Sequence, residues 1–344
     1  MDRSDPIAAV RGYLVNPTER RLRAPWRIAV WVLLAGFGAI IVGAAGTEIP
    51  LPGGDGVLSA LYGMGRLVGL ITAVGAVALG VGWLLDRRTL ADYGLGLDGQ
   101  WWRDAGFGLA LGFGLPTLVF AAQLAVGFTS VTGVLPTSAS DTFQFGAAGP
   151  LVRLALLVPF FVVQASAEEI IVRGYLLTNL AEGAAGVVGN AASTVVATVL
   201  TGALFGVLHW TNPGATLLSV TNITLYGLLL GGCYVLTGRL GIACGFHVAW
   251  NYTLSLWDFP VSGLETGVAL VATESTGPDL VTGGGFGPEG GLVALPVLVV
   301  GTAALSWWVR REYGDVAIRD SIAVPALRFA TRGQRETGPP NHDG

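Results

Sequence analysis

Residues 151–173 read LVRLALLVPFFVVQASAEEIIVR. A long apolar run ends in two adjacent carboxylates, Glu168 and Glu169, with Arg173 four positions further on. The run starting at Leu151 is long enough for the roughly 20 apolar residues that a membrane-spanning helix needs. Ionisable groups at the end of such a run are costly in hydrocarbon and need neutralisation, a solvated cavity or a metal. On a helix Glu169 and Arg173 share a face and can pair. Glu168 points about 100° away, which leaves its carboxylate free for chemistry.

The rest of the chain agrees with a membrane setting. Of 344 residues, 52% are hydrophobic and only 12% charged, with mean hydropathy +0.63. A soluble domain carries about 25% charged residues, so this chain cannot cover a soluble surface. Seven further apolar runs lie near 28–45, 64–85, 105–127, 188–208, 215–236, 240–257 and 291–309. The expected fold is an all-α polytopic membrane bundle of about eight transmembrane helices. Residues 1–27 form an N-terminal segment, 28–310 the bundle, and 311–344 a polar, partly disordered tail. The first run exceeds the 7–15 apolar residues of a signal-peptide core and reads as a retained helix.

All 19 basic residues are arginine. They gather before the first run, at Arg87 and Arg88, at Arg239 and from Arg310 onward. The segments holding Glu48 and Asp55, Ser130 to Pro150, and Asp258 to Gly290 carry none. By the positive-inside rule both termini are expected in the cytoplasm of an integral cell-membrane protein; Arg153 is a mild exception. Net charge is −4, and nothing resembles a nucleic-acid-binding patch. The partners expected are the lipid bilayer and a peptide or protein substrate. Cys233 and Cys244 lie in apolar runs and read as buried packing residues. Gly65/Gly69, Gly108/Gly112 and Gly227/Gly231 have the four-residue spacing that lets helices approach closely in lipid.

Two histidines lie in otherwise apolar runs: His209 in Phe205-Gly-Val-Leu-His209 and His247 in His247-Val-Ala-Trp250-Asn251. Singly, each would read as a hydrogen-bonded core residue. Together with a paired carboxylate they make a set able to bind and activate water. His247 and Asn251, four apart, can face one cavity. Two imidazoles and a carboxylate (His209, His247, Glu168) match a catalytic zinc site with an open position. Alternatively a free glutamate acts as general base while His and Asn stabilise an oxyanion. Either scheme hydrolyses an amide. There is no His-Glu-x-x-His helix and no serine-nucleophile constellation.

The order Glu168-Glu169-Ile-Ile-Val-Arg173, Phe205-Gly-Val-Leu-His209, His247-Val-Ala-Trp250-Asn251 resembles the CAAX prenyl protease and bacteriocin-processing (CPBP, or Abi) family of intramembrane proteases. The resemblance covers about 151–258. It implies an endopeptidase with a cavity reached from the cytosol and Glu168 as the water-activating base. It places Glu169, His209, His247 and Asn251 at the catalytic site, with Arg173, Phe205 and Trp250 supporting them. Zinc is possible. The substrates implied are CAAX-type tails or leader peptides. The competing readings are a non-catalytic membrane scaffold or immunity protein that keeps the fold, and a transporter. One difficulty arises if the fourth span ends at Glu168: His209 then falls at the far end of the fifth, away from Glu168 and His247. A single cavity then requires the fifth span to start deeper or to follow a re-entrant stretch around Glu182 to Ala192.

Overall fold

The computed structural model describes residues 12–16, 19–48, 57–140, 143, 145 and 147–328. The last part of the expected tail, 329–344, lies outside them. A two-residue hairpin, β1 (Val15–Asn16) with β2 (Arg21–Leu22), leads into α1 (Ala24–Glu48). Then follow α2 (Val57–Val81), ending in a wide turn through Asp86, and α3 (Gly99–Ala125), whose first turn is capped by Asp98 accepting from the Trp101 amide at 2.9 Å. After β3 (Thr129–Val134) comes α4 (Pro150–Glu169), continued through a wider π-type stretch, Ile170–Leu177, into α5 (Thr178–Val188). The remaining elements are α6 (Asn190–Leu208), α7 (Leu217–Thr237), α8 (Gly241–Leu256), β4 (Val271–Ser275), the single turn α9 (Asp279–Thr282) and α10 (Ala294–Tyr313). The two short antiparallel pairs, β1–β2 and β3–β4, are the only sheets among the described residues.

This is an all-helical membrane bundle, because a helix satisfies its own backbone where no water is at hand. Among the described residues, five stretches are long and apolar enough to cross a bilayer: Leu61–Asp86, Gly99–Ala125, Pro150–Val188, Asn190–Thr211 and Leu217–Thr237. Helices α1, α8 and α10 stand where the other three spans were expected, but they fall outside that set, so a count of eight is not established.

The fourth span differs most from expectation. It does not end at Glu168; helix continues for 39 residues from Pro150 to Val188. The carboxylates therefore lie midway along it. They are tolerated there because Arg173 neutralises Glu169 within the same helix (2.8 Å). The chain turns back at Gly189, whose φ of +84° is one that glycine adopts without strain. Gly189 stands nearly midway in sequence between Glu168 and His209. The returning α6 thus brings His209 back to the level of Glu168, and the expected separation of the two disappears.

Close helix contacts position the site. On α3, a methyl group at Gly108 would meet the Ile242 carbonyl at 2.3 Å, and one at Gly112 the Phe246 carbonyl at 2.4 Å. Only hydrogen lets α8 lie so near. Gly227 on α7 packs on Gly202 of α6, while Gly65 and Gly69 face open space.

One end of the bundle is an ionic knot. Glu182 receives Arg21 (2.6 Å), Arg27 (2.8 Å) and Arg88, and Asn179 donates to Asp86 at 2.9 Å. Arg21, Arg27 and Arg88 are buried, so the stretch around Arg21 and Arg27 is folded into the bundle instead of standing off in solvent. Between Tyr313 and Arg328 the chain folds back on the bundle; Ile322 and Ala323 pack with Leu177 and Ala181. The opposite end is capped by the β3–β4 pair and the loop after α8. There Arg153 donates to the carbonyls of Ala148 (2.7 Å) and Ser138 (2.9 Å). That bonding accounts for an arginine on an otherwise arginine-free face. Cys233 and Cys244 are buried and free.

Candidate active site

Helices α4, α6, α7 and α8, with the loop after α8, enclose a cavity of about 490 Å³. Its walls include Glu168, His209, His247 and Asn251 together. Phe205 and Trp250 line it too, whereas Glu169 and Arg173 sit just beneath.

Each polar side chain is held by a neighbour one helical turn away or on a facing helix. Gln164, a turn before Glu168, donates to Glu168 Oε1 and accepts at its own Oε1 from Asn251 Nδ2 (3.1 Å). This couples α4 to α8. Glu168 Oε2 has no hydrogen-bond partner and stands 3.9 Å from His247 Nε2. His247 Nδ1–H donates to Glu169 Oε1 at 2.9 Å, an assignment that follows from the carboxylate being the acceptor. Nε2 is therefore the ring nitrogen left to face Glu168. Glu169 Oε1 also takes Arg173 Nη1, whose Nη2 donates to the Gly227 carbonyl at 3.2 Å. The guanidinium lies 4.5 Å from the Phe205 ring centroid. Glu169 and Arg173 thus form the buried pair that the i,i+4 spacing predicted, and Glu169 also orients His247. Glu169, expected at the catalytic site itself, touches the cavity only through the His247 ring.

His209 ends α6, where the helix tightens into a 3₁₀ turn, and its Nδ1–H donates to the Phe205 carbonyl at 2.7 Å. The ring packs on Phe205 with centroids 4.8 Å apart, and Phe205 meets the His247 ring edge-on at 6.0 Å. One phenylalanine thereby sets the pose of both histidines.

The expected zinc ligands Glu168, His209 and His247 all line this cavity. His247 and Glu168 face one another, but among the described residues no three His, Cys, Asp or Glu side chains stand together to hold a metal ion. His209 shares the cavity without completing such a set.

Sequence reasoning missed three residues. Gln164 was legible, lying four before Glu168 on the same face. Tyr226 on α7 lines the cavity, buried, and its hydroxyl has no partner. Glu289 was expected on an outer acidic loop. It is 4% exposed, accepting from Trp250 Nε1 (2.9 Å), the Ser262 amide (2.6 Å) and Ser262 Oγ (3.0 Å). Burial pushes its carboxyl above the ordinary range; the donors from Trp250 and Ser262, and the nearby His209, oppose that shift without cancelling it. No local pattern around Glu289 signals burial, because the loop folds inward only once α8 and α10 are in place.

Against known families, residues 150–253 match the Rce1-like, type II CAAX prenyl endopeptidase model. Over these residues the chain is similar to the Rce1-like family. The matched segment begins with α4 and ends inside α8, so it holds Glu168, His209, His247 and Asn251, but not Glu289. The uncharacterized protein YyaK of Bacillus subtilis (strain 168) is 28% identical over 180 residues, which cover 51% of this chain and 54% of YyaK. The chain thus aligns with about half the length of that curated relative. No solved structure matches. The similarity agrees with the order of the three motifs, all of which fall inside the matched residues.

Proposed function

We propose that this protein is an intramembrane endopeptidase of the CAAX-processing type, hydrolysing peptide bonds of membrane-associated substrates with water activated by Glu168. The observation that carries the proposal is the meeting of Glu168, His209, His247 and Asn251, from three helices, in one cavity.

Glu168 Oε2 is a free acceptor, and His247 Nε2, 3.9 Å away, is a second one when the ring is neutral. A water between them gives one proton to each acceptor, and its oxygen lone pair is left to face a substrate carbonyl. Glu168 takes the proton as the water oxygen bonds to the carbonyl carbon. Asn251 has one amide hydrogen left after its bond to Gln164 and, with His209, steadies the charge that forms on the carbonyl oxygen. As the C–N bond breaks, the proton on Glu168 passes to the leaving amine. Charges balance throughout, and no step runs through a metal. Zinc content tells this scheme from a metal-assisted one: about one ion per chain, lost in His209→Ala/His247→Ala, would establish the latter.

Arginine asymmetry supports an orientation with both termini cytoplasmic. In that orientation the cavity lies in the half of the bundle away from the cytoplasm, at variance with the cytosolic access that the family resemblance implies.

The test is cleavage. Purified protein in detergent should cut peptides from a mixed apolar library, and Asn251→Ala and His209→Ala should each lose most of the activity. A wild-type preparation, folded by circular dichroism, that cuts nothing defeats the proposal.

A further inference from the structure

Among the described residues, three hydroxyls stand on the cavity wall: Tyr226, Ser262 and Thr266. Ser262 Oγ donates to Glu289 Oε2 at 3.0 Å, and Thr266 Oγ1 to the Val268 carbonyl at 3.1 Å. Tyr226 differs. It is 4% exposed, yet its hydroxyl has no hydrogen-bond partner. A buried hydroxyl left unpaired costs folding stability, whereas phenylalanine would fill the same space without that cost. Such an atom calls for an explanation, and its place on the wall of the candidate active site points to a bound ligand.

The ring is fixed from several sides. It packs on Trp250 of α8 with centroids 4.8 Å apart, and the Trp250 indole is itself held by Glu289 at 2.9 Å. One turn earlier on α7, Asn222 Nδ2 donates to the Glu289 and Gly291 carbonyls, both at 2.9 Å. The next residue, Gly227, accepts from Arg173 through its carbonyl, and Arg173 leads through Glu169 to His247. Tyr226 is therefore locked in register with the helix that carries Glu168. Rotation about its C–O bond stays free, so the hydroxyl hydrogen can be aimed while the ring keeps its place.

We propose that the Tyr226 hydroxyl donates a hydrogen bond to a main-chain carbonyl flanking the scissile bond of the bound peptide, which makes α7 the fourth helix to contribute a group to the site. The inference rests on the proteolytic reading above. A peptide drawn out of water into the cavity must have its carbonyls paired again, and a neutral phenol supplies a donor without bringing in a charge. Glu168, His209, His247 and Asn251 act on the bond that breaks; Tyr226 holds the chain beside it in the reacting pose. Its hydroxyl is unpaired in the free enzyme and satisfied in the complex.

Tyr226→Phe removes the oxygen and keeps the ring. In unfolding titrations it should be at least as stable as wild type, because no bond of the folded protein is lost. On a peptide that the wild type cuts, its kcat/KM should fall about ten- to a hundredfold, the effect of leaving a buried carbonyl unpaired. Replacing the peptide's amides by esters, one at a time and sparing the scissile bond, weakens one carbonyl acceptor after another. At one flanking position the ester should slow the wild type and leave Tyr226→Phe unaffected, as a shared interaction requires. Full activity in Tyr226→Phe, or equal ester effects in both proteins at every position, overturns the inference and leaves the protease reading intact. So does a Tyr226→Phe protein that is less stable than wild type or does not fold, since the hydroxyl would then serve the fold. A folded wild type that cuts no peptide defeats the protease reading itself, and the inference with it.

Discussion

Replacing Arg173 by methionine keeps most of the side-chain volume and removes the charge. Arg173 is fully buried, 2.8 Å from Glu169 Oε1, bonded to the Gly227 carbonyl and stacked on Phe205. Breaking a buried pair by removing one partner costs about 3–5 kcal/mol, because the other charge is left uncompensated. The lost Gly227 bond adds about 1 kcal/mol and the lost Phe205 contact about 1–2 kcal/mol. These losses overlap, so we expect about 4–5 kcal/mol, a large share of the roughly 5–15 kcal/mol that holds a protein folded. The chain's 10 tryptophans report unfolding by fluorescence during titration of mixed micelles with denaturing detergent. In the Arg173→Met background, Glu169→Gln removes the stranded charge and still accepts from His247 Nδ1–H. The double variant should therefore recover most of the loss, to within about 2 kcal/mol of wild type, the range seen when a buried pair is replaced as a whole. An Arg173→Met protein within about 1 kcal/mol of wild type, the median worth of an exposed pair, would refute the reasoning. So would a double variant no better than the single.

Other perturbations probe separate parts of the account. Gly112→Ala places a methyl 2.4 Å from the Phe246 carbonyl and 2.8 Å from the Trp250 amide. Overpacking should cost about 1–3 kcal/mol, and displacing α8 by about 1 Å should cut peptide cleavage on the order of a hundredfold; unchanged kinetics would show that α8 does not set the site. Asp98 caps α3 and binds Arg239 at 2.7 Å. Slight burial pushes its carboxyl up, but the Trp101 amide and Arg239 hold it on balance below the ordinary range. A depressed carboxyl contributes stability above its unfolded value, and that contribution is lost as pH falls through the lower folded value. Asp98→Ala should thus cost about 1 kcal/mol at neutral pH as a lost cap. The gap to wild type should close only in acid below the usual aspartate range. A gap independent of pH contradicts the sign. For orientation, Asp315→Cys and the exposed Ala139→Cys lie at opposite ends of the bundle. In intact cells an impermeant thiol reagent should label Ala139→Cys and spare Asp315→Cys; the reverse pattern inverts the assigned topology and gives the cavity half to the cytoplasm.

Much of this was legible before any coordinates. Apolar runs of span length announced the bundle, since hydrocarbon allows few other solutions. The i,i+4 spacings of Glu169 with Arg173, Phe205 with His209 and His247 with Asn251 anticipated pairs that share a helix face. Helix continuity was not legible. Glu168 and Glu169 looked like a terminus because charges gather at helix ends, and only the internal pairing with Arg173 shows why the helix continues to Val188. That one error separated His209 from its partners. Contacts between remote segments were also hidden. Glu289 stands far in sequence from Trp250, and no periodicity in a glycine-rich loop predicts that it turns inward. The Arg21, Arg27 and Arg88 knot on Glu182 lay hidden likewise, because charged N-terminal segments ordinarily stay in solvent.

Glu168→Gln tests the central claim most directly, since it keeps the shape and the bond to Gln164 while removing the base. Measured as kcat/KM on the mixed apolar peptide library, beside an unfolding titration, the account predicts a fall of about 10²–10⁴-fold, the usual worth of a positioned general base, with stability within about 1 kcal/mol of wild type. A Glu168→Gln protein that is stable and cuts at the wild-type rate would contradict it.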